Sequence, residues 1–169
     1  MYYFGPGVER NPIKAATLFE KAANGGVPEA QFNAGWLYQT GTVETRDLGK
    51  ALNFYMEAAR NGNALAQNNL GRMYDTGQGV ARDPATAVRW FRKSAEQGNE
   101  IGQFNPGAMY WRGSGVSQDF EKAARWFRLS AQQGHANAQV ALGDSIFLKG
   151  VPRDDQGAAG LLSESGPPK

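Results

Sequence analysis

The chain has 169 residues, 18 Lys and Arg against 16 Asp and Glu for a net charge of +2, and no cysteine. The near balance of charge argues against a nucleic-acid binder, whose affinity rests on many phosphate contacts. The missing thiols exclude disulfides, thiol catalysis and thiolate metal sites but leave the compartment open; no apolar run is long enough to span a bilayer, and the length suits one domain.

A recurrence runs through the chain. Ala30-Gln31, Ala66-Gln67, Gly102-Gln103 and Ala138-Gln139 each follow the last by 36 residues (66−30, 102−66, 138−102). A fixed period in this range marks an array of supersecondary units. The first ten residues, MYYFGPGVER, fall inside that period: Tyr2 matches Tyr38, and Gly5-Pro6-Gly7-Val8 matches Gly77-Gln78-Gly79-Val80. The chain therefore starts within a first helix, as expected of a piece cut from a longer array or a mature form that has lost its beginning. It shows no charged and apolar leader of the signal-peptide kind. Residues 1–26 make a truncated first unit, whose second helix opens at Asn11-Pro12 and closes at Gly26.

The units 27–62, 63–98 and 99–134 follow. The most regular copy reads AQNNLGRMYDTGQGVARDPATAVRWFRKSAEQGNEI, Ala66 to Ile101. Ala66, Leu70, Gly71, Met73 and Tyr74 form an apolar stripe at helical period. Gly77-Gln78-Gly79 stops that helix, because glycine accepts positive φ. Asp83-Pro84 opens a second, Asp as N-cap and Pro at the first helical position. Its stripe is Ala87, Val88, Trp90, Phe91, Ser94 and Ala95, closed by Gly98. The same caps recur at Asp47, Asp119 and Asp154, the same closing glycines at Gly62 and Gly134, and the aromatic pair at Phe54-Tyr55 and Trp126-Phe127. A glycine also sits inside each first helix, at Gly35, Gly71, Gly107 and Gly143. Glycine there destabilises a helix by about 0.5–1 kcal/mol against alanine, so its recurrence marks a place where two helices touch too closely for a β-carbon.

Two units depart from the pattern. Pro106 stands where Ala34, Leu70 and Leu142 stand, inside a first helix. It removes a hydrogen bond and clashes with the carbonyl four residues back, so a kink or broken turn is expected near 102–106. The last unit, 135–163, loses a residue in its turn (Lys149-Gly150-Val151), and Leu161-Leu162 replaces its aromatic pair. Residues 164–169 are expected to be a loose tail.

The consensus of these copies, AQxxLGxxYxxGxGVxxDxxKAxxWFxxAAxQG, resembles the Sel-1-like repeat, a relative of the tetratricopeptide repeat, over nearly the whole chain. The resemblance implies an all-α fold, an α/α solenoid with a right-handed superhelix of helix–turn–helix units, and a role in protein–protein interaction, often in bacteria. It names no partner.

Candidate chemistry is sparse. His135 is the single histidine and occupies the slot of Asn63 and Asn99, so a cap or turn role is expected. Asp154-Asp155 is the one adjacent acidic pair, and neighbours on a helix do not converge on a substrate. The GQGV and GSGV turns follow helices and lack the further glycine or Lys-Ser/Thr of a phosphate loop. No catalytic residue, metal site or cofactor is expected. On the first helices a second face, two, six, nine and ten residues beyond the Ala-Gln start, lies off the core stripe. By resemblance to tetratricopeptide arrays it lines a concave groove. It carries Phe32, Trp36, Gln39 and Thr40; Asn68, Arg72, Asp75 and Thr76; Phe104, Trp111 and Arg112; and Val140, Asp144, Phe147 and Leu148. Aromatics beside Arg mark interface hot spots, although Trp36, Phe104 and Trp111 equally suit the core of a tighter array.

The leading expectation is a non-catalytic adaptor, scaffold or inhibitor or immunity-type binder of a protein or peptide. The alternative is an envelope protein that binds or hydrolyses cell-wall fragments or carbohydrate. The apolar half-helix Met1-Tyr2-Tyr3-Phe4 offers a route to self-association.

Overall fold

The computed structural model describes residues 12–42 and 46–149. Among the described residues are eight α-helices and no strand: α1 (Pro12–Asn24), α2 (Pro28–Thr40), α3 (Leu48–Arg60), α4 (Ala64–Thr76), α5 (Pro84–Glu96), α6 (Glu100–Arg112), α7 (Phe120–Gln132) and α8 (Ala136–Lys149). The expectations for Met1–Phe4, the Asn11 cap, the Asp154 cap, Leu161-Leu162 and the tail lie outside the described residues. The chain forms two compact units, Met1–Asn63 and Ala64–Lys169. The first holds α1–α3 and the second α4–α8.

Each described helix pair is built by the punctuation read from the sequence. Gly41, Gly77 and Gly113 end α2, α4 and α6 with φ of 69°, 73° and 65°. In the loop beyond, the amides of Asp47, Asp83 and Asp119 donate to the carbonyls of Tyr38, Tyr74 and Tyr110 at 3.0, 2.9 and 3.0 Å. The chain is thereby turned back onto the helix it has just left. The same aspartates cap the next helices, accepting from the amides of Lys50, Thr86 and Lys122 at 2.9, 3.0 and 2.9 Å. Gly26, Gly62, Gly98 and Gly134, all at positive φ, close the second helices.

Asp83 shows what such a cap does to a carboxyl. The Thr86 hydroxyl donates to it at 2.5 Å in addition to the Thr86 amide. These bonds, the hydroxyl's first, favour the charged form and hold the group below its ordinary value of 3.8. A carboxyl depressed by folding contributes stability that is complete above the ordinary value and is lost as pH falls through the depressed one. Thr86→Val keeps the amide bond and removes the hydroxyl. The stability gap between wild type and Thr86→Val is expected at neutral pH and should close in acid, below the ordinary value. Urea titrations across that range measure it, and a gap independent of pH would contradict the assignment.

The core follows the predicted stripes. In the first unit Ala30, Ala34 and Leu37 of α2 are buried with Ala51, Tyr55, Ala58 and Ala59 of α3, and Tyr38 stacks on Phe54 at 5.8 Å. In the second, Leu70 and Met73 of α4 are buried, and Ala87, Val88 and Phe91 of α5 cluster with Met109 of α6; Ala123, Ala124 and Phe127 of α7 are buried at the equivalent positions, and Trp126 packs with Ala95 of α5. The mid-helix glycines of α2, α4 and α6 sit where a ring of the second helix comes closest to the first. A β-carbon at Gly35, Gly71 or Gly107 would come within 2.8, 2.6 or 2.7 Å of a ring carbon of Tyr55, Phe91 or Phe127. Gly143 differs: among the described residues nothing lies within 4 Å of a β-carbon there.

The glutamine of the Ala-Gln pair is buried too, which the apolar stripe does not foretell. Gln31, Gln67 and Gln103 are 4%, 5% and 6% exposed. Each side-chain carbonyl accepts from an amide 30 residues on, just past the end of the paired second helix: Asn61 to Gln31 at 3.0 Å, Gln97 to Gln67 at 2.8 Å, Gln133 to Gln103 at 2.6 Å. Ser94 and Ser130 add a second tie of the same span, donating to the carbonyls of Ala64 and Glu100 at 2.7 and 2.8 Å. The start of each first helix is thus bolted to the end of its second. Gln103→Ala is expected to destabilise by about 1 kcal/mol, because the exposed Gln133 partner can turn to water. Chemical denaturation checks this, and an unchanged midpoint would remove the tie from the account.

These ties also correct the expectation at Pro106. No turn breaks near 102–106: α6 runs unbroken from Glu100 to Arg112, with Pro106 buried inside it. The first turn is held from outside the helix. Asn99 Oδ1 accepts from Gly102 N at 2.7 Å, Ser130 holds the Glu100 carbonyl, and Gln133 holds Gln103. The hydrogen bond that proline removes is therefore not the one on which the turn depends.

Candidate partner-binding surfaces

The residues expected on the groove face fall into distinct environments. In the first unit, Phe32 is half-buried against Tyr55, with ring centroids 5.8 Å apart, and Gln39 Oε1 accepts from the Tyr55 hydroxyl at 2.8 Å. Trp36 is 41% exposed. Thr40 donates to the Trp36 carbonyl of its own helix at 2.9 Å, as Thr76 does to Arg72 at 2.8 Å.

In the second unit, α4 and α6 meet side by side through this face. Asn105 Nδ2 donates to Asn68 Oδ1 at 2.6 Å, and the Arg112 guanidinium donates to Asp75 Oδ2 at 3.2 Å. Both pairs are 37 residues apart, so one repeat step brings equivalent helices into register. Asn68 is buried, which removes it from any surface a partner touches. Asp75 is half-buried and also takes Arg82, whose guanidinium lies 4.0 Å from its carboxylate and whose Nε donates to the Asp75 carbonyl at 2.8 Å. Gln118, in the slot of Arg82, makes the same bond to the Trp111 carbonyl at 2.8 Å. Arg72 and Arg112 are exposed.

The aromatics of α6 lean on α7. Phe104 sits 5.4 Å from Phe127 and 4.9 Å from the His135 ring; Trp111 sits 5.0 Å from Phe120, edge-on, and 6.4 Å from Phe127. Both are half-buried, each with one side against the second helix. On α8, Val140, Asp144, Phe147 and Leu148 are exposed, Phe147 to 87%. The face thus joins Asp75 to Arg112 and sets Phe104 and Trp111 on one support, while Asp144 and Phe147 stand apart on α8. Arg82 and Asn105 were missed by the sequence reading. Their signal is positional: Arg82 lies just before the Asp83 cap, and Asn105 one step beyond the Phe104 slot.

His135 caps α8, its Nδ1 accepting from Ala138 N at 3.2 Å, the role expected of its slot. Its other ring nitrogen then carries the proton. Among the described residues no group of three or more His, Cys, Asp and Glu is placed to hold a metal, and no helix is long and apolar enough to cross a membrane.

The architecture defines a class first: a helical repeat protein of the α/α solenoid kind, with a period of about 36 residues and an off-core face on its first helices. The chain belongs to the Sel1 repeat family, whose model matches residues 1–27, 28–63, 64–99, 101–135 and 136–165. Among solved structures it is similar to c5321, a protective antigen present in uropathogenic Escherichia coli strains displaying an SLR fold. That likeness has 34% identity and a TM-score of 0.79 and covers 94% of this chain and 34% of that one. It is also similar to a Sel1 repeat protein from Oxalobacter formigenes, with 32% identity and a TM-score of 0.81, covering 95% of this chain and 67% of that one. The chain spans about a third of the length of c5321. Comparison with curated proteins returned no match. Sel1 repeats are generally protein-interaction modules.

Proposed function

We propose that the chain is a non-catalytic interaction module that holds a protein or peptide partner on the off-core face of its first helices. The observation that supports this most directly is that α6 presents Trp111 on its α7 side, half-buried and backed by Phe120 and Phe127, and the exposed Arg112 on its α4 side. Trp and Arg are the residue types that dominate binding hot spots. A tryptophan already braced by packing loses little freedom when a ligand covers its open side. Trp36, 41% exposed on α2, is a second such anchor in the first unit.

The test is affinity capture from a lysate of the source organism with wild type, Trp36→Ala and Trp111→Ala in parallel, each shown folded by circular dichroism. A protein kept by wild type and lost by either folded variant supports the reading and names the partner. Equal capture by all three moves the interface off this face. Unfolding of Trp111→Ala would show that Trp111 is chiefly a core residue. The self-association expected through Met1–Phe4 is a separate proposal: sedimentation at rising concentration should show a dimer, and a constant monomeric mass would dispose of it.

A further inference from the structure

Where α4 meets α6, one carboxylate gathers more than one positive charge. Asp75 is half-buried and meets two guanidinium groups: Arg112 at 3.2 Å, from the end of α6, and Arg82 at 4.0 Å, from the loop after α4. The side chains of both arginines stay largely in water, 54% and 61% exposed. Arg72, one turn before Asp75 on α4, is exposed as well. At the contact itself two positive charges meet one negative, leaving +1.

Exposed ion pairs contribute about 0–1 kcal/mol to stability, so this pair is a weak reason for the fold. Its geometric effect is larger. Arg82 is fixed through Nε to the Asp75 backbone, and Arg112 is steadied by the carboxylate and by a 3.1 Å contact with Met109 Sδ. Two flexible side chains are thereby gathered at one point, at the spacing that a carboxylate bridges. Each guanidinium has five donors in a planar fork, more than the bonds made here use.

We propose that this cluster receives the carboxylate side chains of an acidic peptide segment, with Arg112 and Arg82 as the charged clamp. The inference rests on the reading of the first-helix face as the partner surface, and it names the chemistry of the partner. A carboxylate is favoured over a phosphate because the resident group that already spaces the two arginines is a carboxylate.

The probes are four fluorescent pools of random linear peptides of matched length and apolar content. Their polar positions carry Asp and Glu, Asn and Gln, Lys and Arg, or phosphoserine. Fluorescence anisotropy at low salt is expected to show binding of the acidic pool above all others, weakened by added salt. Arg112→Ala and Arg82→Ala should each lower that affinity about tenfold, whereas Arg89→Ala on α5 should leave it unchanged. Equal binding of the acidic and amide pools, with both lost in folded Trp111→Ala, would overturn the inference and leave the surface reading standing. Preference for the phosphoserine or basic pool would overturn it in favour of that chemistry. Binding by no pool would also overturn it, and the capture experiment would then decide the surface reading by itself.

Discussion

Phe127→Ala is expected to destabilise the second unit by about 3–5 kcal/mol, the usual loss for truncating a buried phenylalanine. Phe127 is 2% exposed, and its ring closes on Gly107, where a β-carbon would come within 2.7 Å of it. It is also the common support of Phe104 and Trp111, at 5.4 and 6.4 Å. Removing it leaves a cavity where α6 meets α7 and withdraws the backing from the aromatic part of the proposed surface. Repeat arrays are held by nearest-neighbour contacts, so amide exchange should accelerate first in α6 and α7 while α4 and α5 keep their protection. Urea denaturation gives the magnitude. A loss under about 1 kcal/mol would mean that the site collapses freely and that the ring is not the prop described.

The second expectation is a reversal of sign between two glycines in the same slot. Gly71→Ala should destabilise by about 1–2 kcal/mol: overpacking against the Phe91 ring costs about 1–3 kcal/mol, and the gain in helix propensity offsets only about 0.5–1. The new β-carbon would stand 2.6 Å from ring carbons that are themselves buried. Gly143→Ala should stabilise by about 0.5–1 kcal/mol, because no described residue lies within 4 Å of a β-carbon there and the propensity gain remains. Thermal melts of the two variants beside wild type should move in opposite directions. Shifts of the same sign would defeat the close-contact explanation of this slot.

If Phe127 and Gly71 behave in this way, the packing of α6 on α7 also supports the aromatics of the surface proposed above for a partner. The same α7 ring fills the groove over Gly107 and steadies the aromatic anchors of α6.

The period, the helix starts and stops, and the close-contact glycines were legible in the sequence, because each follows from local chemistry. An aspartate cap, a glycine at positive φ and an apolar stripe at helical spacing act within a few residues of themselves. Asp83, Gly77 and the stripe of Leu70, Gly71 and Met73 therefore announce themselves without a partner in view. His135 was placed correctly for the same reason. What local rules do not reach is any bond made across a repeat. Asn68 reads as a surface residue and is buried where it pairs with Asn105, one residue past the next repeat's equivalent position; Gln67 reads as polar and is buried where Gln97 meets it from the far end of α5. Pro106 reads as a break, yet its helix is whole because Asn99, Ser130 and Gln133 hold the turn before it. The grouping of Arg82 and Arg112 about Asp75 likewise belongs to the tertiary structure, because it joins a loop and two helices whose meeting depends on the packing of every ring between them.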